Sequence, residues 1–146
     1  MIMFPILENL DSAKPVTGNH YWLFNINIQD RRFKVLDSWR TLAKSKTLDD
    51  NARLIAATVR SLWDEHYPDS RVKLDDFGLK DINVMKQDNE FDCRIFAATL
   101  ANLWEARVVP NFGPSNISNI RRILTSALVN TDDNKAPWRD ILKLST

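Results

Sequence analysis

HYWLFNINIQDRRFKVLDS, residues 20–38, reads as two strands laid back to back across a polar turn. In its first half Tyr21, Leu23, Asn25 and Asn27 alternate with Trp22, Phe24, Ile26 and Ile28, which form the more apolar face. QDRR (29–32) turns the chain and FKVLDS (33–38) returns it, with Phe33, Val35 and Asp37 on one face. That second apolar pattern ends on a carboxylate. A hairpin centred near residue 30 sets residue 20 opposite residues 38–40, so His20 and Asp37 come to the same end of the sheet, about one pleat apart.

Working outward, IMFPI (2–6) is short and apolar, and its proline suits an edge strand. LDSAKPVTGN (10–19) is turn chemistry. TLDDNARLIAATVRSLWDEHYP (47–68) is the clearest helix, with Thr47 as N-cap and Pro68 as stop. Its core stripe is Leu48, Ala52, Ile55, Val59, Leu62 and Trp63. Residues 71–81 read as loop and INVMKQ (82–87) as a short strand. A helical period returns at Cys93, with Asp92 as N-cap and Cys93, Phe96, Ala97, Leu100, Ala101 and Trp104 on one face. NFGPSN (111–116) is a loop, and residues 115–130 form an amphipathic helix through Ile117, Ile120, Leu124 and Leu128. A short final helix is expected over 136–144, with Pro137 in its first turn. This order predicts one mixed α/β domain over residues 1–146, a small central sheet flanked by helices.

Bulk properties narrow the function. Formal charge is +1 across 146 residues, so no broad electrostatic footprint invites nucleic acid or an anionic membrane. The pairs Arg31-Arg32 and Arg121-Arg122 stand without basic neighbours and read as solvated faces. A single cysteine excludes an internal disulfide and a cysteine-built zinc site, and no metal or cofactor is expected. Its best setting is a reducing interior, cytosol or nucleus. MIMFPILENLDSAK lacks a basic n-region, and no apolar run reaches the ~18 residues of a membrane span. With three glycines in all, phosphate-cradling loops are absent.

Cys93 opens a helix, where unpaired amides and the helix dipole favour a thiolate; taken alone, it reads more simply as a small buried hydrophobe. A thiol protease needs a base beside the sulfur, a group that orients that base, and an oxyanion donor. His20, Asp37 and Gln87 supply those residue types, each at the end of an element. Each has a plainer reading: His20 as a surface strand residue, Asp37 in LDSW as a turn former, Gln87 as an ordinary polar residue. His66, in DEHYP, is read as a dipole partner at a helix C-terminus.

HYWLFNINIQDRRFKVLDS followed by KQDNEFDCRIF (86–96) resembles the ubiquitin-like-protein-specific cysteine proteases of SUMO-protease type, closest to the plant and transposon-associated branch. The shared marks are a histidine and aromatic opening a strand, a strand ending Leu-Asp-Ser, and a glutamine ahead of Asp-Cys-x-x-Phe. SNIRRILTSALVN (118–130) is similar to the closing helix of plant members. The resemblance implies a papain-like fold and a peptidase cutting after the C-terminal glycine of a ubiquitin-like modifier. Cys93 would be nucleophile, His20 base, Asp37 its support, and Gln87 an oxyanion donor; Tyr21, Trp22 and Arg94 would face the substrate. Tyr21 stands where the family carries a tunnel tryptophan, and Arg94 where it carries the glycine after the cysteine. Members carry a helical segment ahead of the histidine strand, so the resemblance implies the C-terminal catalytic part of such a domain, its leading segment missing. It leaves two outcomes, an active peptidase or an inactive remnant that at most binds a ubiquitin-like protein.

Overall fold

The structure, a computed structural model, describes residues 1–10, 13, 18–105 and 108–137. Among them a four-stranded sheet runs in the order β1 (Ile2–Glu8), β2 (His20–Asn27), β3 (Arg32–Leu36), β4 (Gly78–Asp81). The first three strands are antiparallel and β4 pairs parallel to β3, a mixed sheet. IMFPI is the edge strand its proline predicts, extended to Glu8. The hairpin has the expected register: Leu23 faces Leu36 and Asn27 faces Arg32, which carries His20 toward residue 39.

Both faces of β2 are buried, because a helix lies on each. Trp22, Phe24 and Ile26, with Phe33 and Val35, pack on Leu48, Ala52 and Ala56 of α1 (Lys46–His66). Leu23 and Leu36 pack on Phe96, Ala97 and Leu100 of α2 (Cys93–Leu103), with Ile117 of α3 (Ile117–Val129) closing that side. Burying each such side chain contributes roughly 1.5–3 kcal/mol, so the alternation of β2 sets its place at the sheet's centre.

Several boundaries differ from the sequence reading. Ser45, not Thr47, caps α1, accepting from the N–H of Leu48 at 3.3 Å. Leu62 of the expected stripe is 48% exposed, while Ala56 is buried in its place. The strand expected at 82–87 lies earlier, at Gly78–Asp81, inside the stretch read as loop. Leu74 and Phe77, just ahead of it, are core residues, and their burial holds that segment against α1. Residues 82–87 stay irregular, although Ile82 N–H still bonds Val35 O at 2.9 Å. Asp92 precedes α2 but makes no cap; its carboxylate accepts from Asn89 and from Arg121 of α3. Ala101 and Leu128 are exposed. Most of the turn at 10–19 and of the helix expected at 136–144 lies outside the described residues.

Candidate active site

Asp37 follows β3 directly and is fully buried, a position that demands complete hydrogen bonding. Its Oδ1 accepts from the backbone N–H groups of Trp39 (2.7 Å) and Arg40 (2.9 Å), folding residues 37–40 into a turn. The same oxygen lies 3.0 Å from His20 Nε2. Both sequence readings of Asp37 hold: it forms the turn and it faces the imidazole. A carboxylate only accepts, so Nε2 carries the proton and Nδ1 is the basic nitrogen of the neutral ring.

A second layer fixes the carboxylate. Arg40 Nε donates to Asp37 Oδ2 at 3.0 Å, and its Nη1 and Nη2 grip Glu8 Oε1 and Oε2 at 3.0 and 2.7 Å. Glu8 ends β1 and pairs in register with His20. Trp22 Nε1 and Asn51 Nδ2 complete its coordination, each at 2.9 Å. Burial alone would raise the proton affinity of both carboxylates. His20 and the turn amides outweigh it at Asp37, and Arg40 with Trp22 and Asn51 outweighs it at Glu8, so both titrate below their ordinary values.

The cysteine half is tied to the same turn. Gln87 N–H donates to Ser38 O at 2.8 Å, and Ser38 Oγ donates to Gln87 Oε1 at 2.5 Å. This fixes the amide's orientation. One N–H of Nε2 goes to Asn89 O at 2.6 Å, leaving a second to donate. Lys86 Nζ donates to the carbonyls of Asp37 (2.6 Å) and Arg40 (2.9 Å). Burial pushes the Lys86 ammonium below its ordinary proton affinity, and the nearby Asp37 and Asp81 only partly restore it.

Cys93 is 2% exposed and starts α2, its Sγ 3.9 Å from the carbonyl of Asn19, the residue before His20. Its N–H belongs to the first turn, where amides have no partner inside the helix. Asn19, His20, Trp39, Gln87, Cys93 and Arg94 line one pocket of about 450 Å³. The fold therefore gathers thiol, imidazole and amide at one cavity, with the carboxylate behind the ring.

The three residues expected to face substrate separate. Trp22 does not line this pocket: its indole is 1% exposed, packed against the α1 core and spent on Glu8. Strand alternation sends it to the opposite face from Tyr21. Tyr21 lines a neighbouring apolar groove of about 370 Å³ with Met3, Pro5, Ala97 and Ala101. Arg94 is exposed and borders both cavities. His66 ends α1 on the surface, and the arginine pairs meet carboxylates, Arg31 with Asp76 and Arg121 with Asp92. Sequence reasoning missed Glu8, Ser38, Arg40 and Lys86. A charged residue ending an apolar edge strand was the available signal for Glu8; the other three are legible only once the turn is built.

Residues 1–134 match the Ulp1 protease family, C-terminal catalytic domain. The chain belongs to that family. No curated protein sequence matches it. Among solved structures, the C-terminal Ulp1 protease domain in complex with Smt3, the yeast ortholog of SUMO, is similar at TM-score 0.66 and 18% identity. The match covers 87% of this chain and 51% of that one. A second, the SUMO protease Ulp1 with its catalytic cysteine oxidised to a sulfenic acid, is similar at TM-score 0.62 and 19% identity, with the same coverage. The chain thus spans about half the length of the family structures it matches, and at these identities the likeness fixes the fold.

Proposed function

We propose that this chain carries a cysteine peptidase site cleaving after the C-terminal glycine of a SUMO-type modifier, within the nucleus or cytoplasm. One observation carries the reading: Cys93, His20 and Gln87 line a single pocket, with Asp37 hydrogen-bonded behind His20. Family membership supports it, and the Smt3 complex of the similar yeast domain supplies the substrate class. Residues 1–146 are read as a single domain, the C-terminal catalytic part of such a peptidase.

In the first step His20 Nδ1 accepts the Cys93 proton and Sγ attacks the carbonyl carbon of that glycine. The oxyanion is met by Cys93 N–H and the remaining N–H of Gln87 Nε2. His20 then protonates the departing amine, leaving a thioester. Water, deprotonated by His20, hydrolyses the thioester and restores the thiol. Asp37 holds the ring in the tautomer this needs and supports the imidazolium.

Arg94 on the pocket wall favours a second reading, a site that binds the modifier without turning it over. A SUMO-type protein ending in a thiol-reactive electrophile separates the two. The peptidase forms a covalent adduct that Cys93→Ser and His20→Ala both abolish. Binding without an adduct establishes the second reading, and the absence of both removes the modifier from either.

A further inference from the structure

Glu8, Arg40, Asp37 and His20 alternate in charge along one buried line, from β1 through the turn after β3 to the start of β2. Glu8 and Asp37 are 8% and 0% exposed, and the Arg40 side chain 10%, so water screens them weakly. Arg40 alone would cancel Asp37 and leave His20 facing a neutral ion pair. Glu8 reverses that. With the imidazole uncharged the cluster carries one net negative charge, and with the imidazolium it is neutral.

We propose that Glu8 is a charge-setting and positioning residue for His20: acting through Arg40, it keeps the field behind the imidazole negative and so favours transfer of the Cys93 proton to His20. Resting on the cysteine-peptidase reading, it adds a residue from the edge strand to that site. Among the described residues, the other charges facing the pair balance one another. Lys86 bonds Asp37 O while Asp81 lies near both, an ammonium against a carboxylate. At the pocket mouth the exposed Glu90 and Arg94 oppose each other in sign. Among the described residues, the Glu8–Arg40–Asp37 set leaves a net charge behind the ring.

Cys93 is the only thiol, so alkylation by iodoacetamide reports this sulfur alone, the thiolate displacing iodide. The readout is the ratio of alkylation rates at about pH 6.5 and about pH 9.5, where the thiol ionises with or without help. Glu8→Gln should lower that ratio on the order of threefold to tenfold, and Glu8→Asp, which keeps the charge, should restore most of it. A variant that merely unfolds would expose the buried sulfur and alkylate faster at both pH values. In that event Arg40→Gln decides, because it leaves the cluster more negative and must raise the ratio. An unchanged ratio in Glu8→Gln, while His20→Ala lowers it, overturns the proposal and keeps the peptidase site. An unchanged ratio in His20→Ala overturns both.

Discussion

His20 Nε2 and Asp37 Oδ1 lie 3.0 Å apart, although 17 positions of chain separate the residues. The contact follows from the β2–β3 register together with the turn that Asp37 builds from the amides of Trp39 and Arg40. Asp37→Asn keeps the shape but offers the ring an amide that can also donate, so the wrong tautomer becomes available. We expect kcat for a SUMO-type substrate to fall on the order of 10³-fold with KM little changed. A loss below about tenfold would show that orientation of His20 is not what the contact supplies.

The same carboxylates contribute to the acid sensitivity of the fold. Asp37 and Glu8 titrate below their ordinary values of 3.8 and 4.5, so the stability they lend is complete above those values and is lost as pH falls through the lowered ones. Asp81 runs the other way: burial raises it, so its penalty is relieved on acidification. Urea midpoints measured from about pH 7 down to pH 3 should therefore fall, and fall less steeply in Glu8→Gln than in the parent. Equal slopes in both would mean that the Glu8 ion pair contributes nothing to acid sensitivity.

Sequence patterning located the hairpin because alternation and turn chemistry are local rules, and it offered Cys93, His20, Asp37 and Gln87 as candidates that the fold brings together. It misplaced β4, since GLKD carries no alternation and is held by pairing to β3 and by the burial of Leu74 and Phe77 ahead of it. The resemblance sets Trp22 toward substrate as the neighbour of Tyr21, whereas its face of the strand commits it to α1. The support around Asp37 stayed hidden for a different reason. Glu8, Arg40 and Asn51 come from a strand, a turn and a helix, and only tertiary pairing makes them neighbours.

Ser38 and Gln87 join the two halves of the site, hydroxyl to amide oxygen, with Ser38 2% exposed. Ser38→Ala strands that oxygen and should cost about 1–2 kcal/mol in denaturant unfolding. Released from its anchor, the Gln87 amide no longer aims at the oxyanion, so kcat should fall about tenfold, against about 10²-fold for Gln87→Ala. In the Gln87→Ala background Ser38→Ala should leave kcat where it is. Fully additive losses would mean that Ser38 acts on catalysis by some route other than Gln87.

Arg94 sits on the ridge between the pocket holding Cys93 and the apolar groove holding Tyr21. A modifier tail reaching the sulfur along the adjoining groove would pass this side chain. Arg94→Ala removes the bulk at no cost in helix propensity. Arg94→Gly removes it too, but costs about 1 kcal/mol in the first turns of α2, or roughly 2–4 °C in Tm. If bulk obstructs, both substitutions raise kcat/KM several-fold and only the glycine variant melts earlier. If instead the guanidinium holds the substrate, both lower kcat/KM through KM, as lost binding does. A glycine-specific gain, absent from Arg94→Ala, would assign the obstruction to the backbone at residue 94 rather than to its side chain.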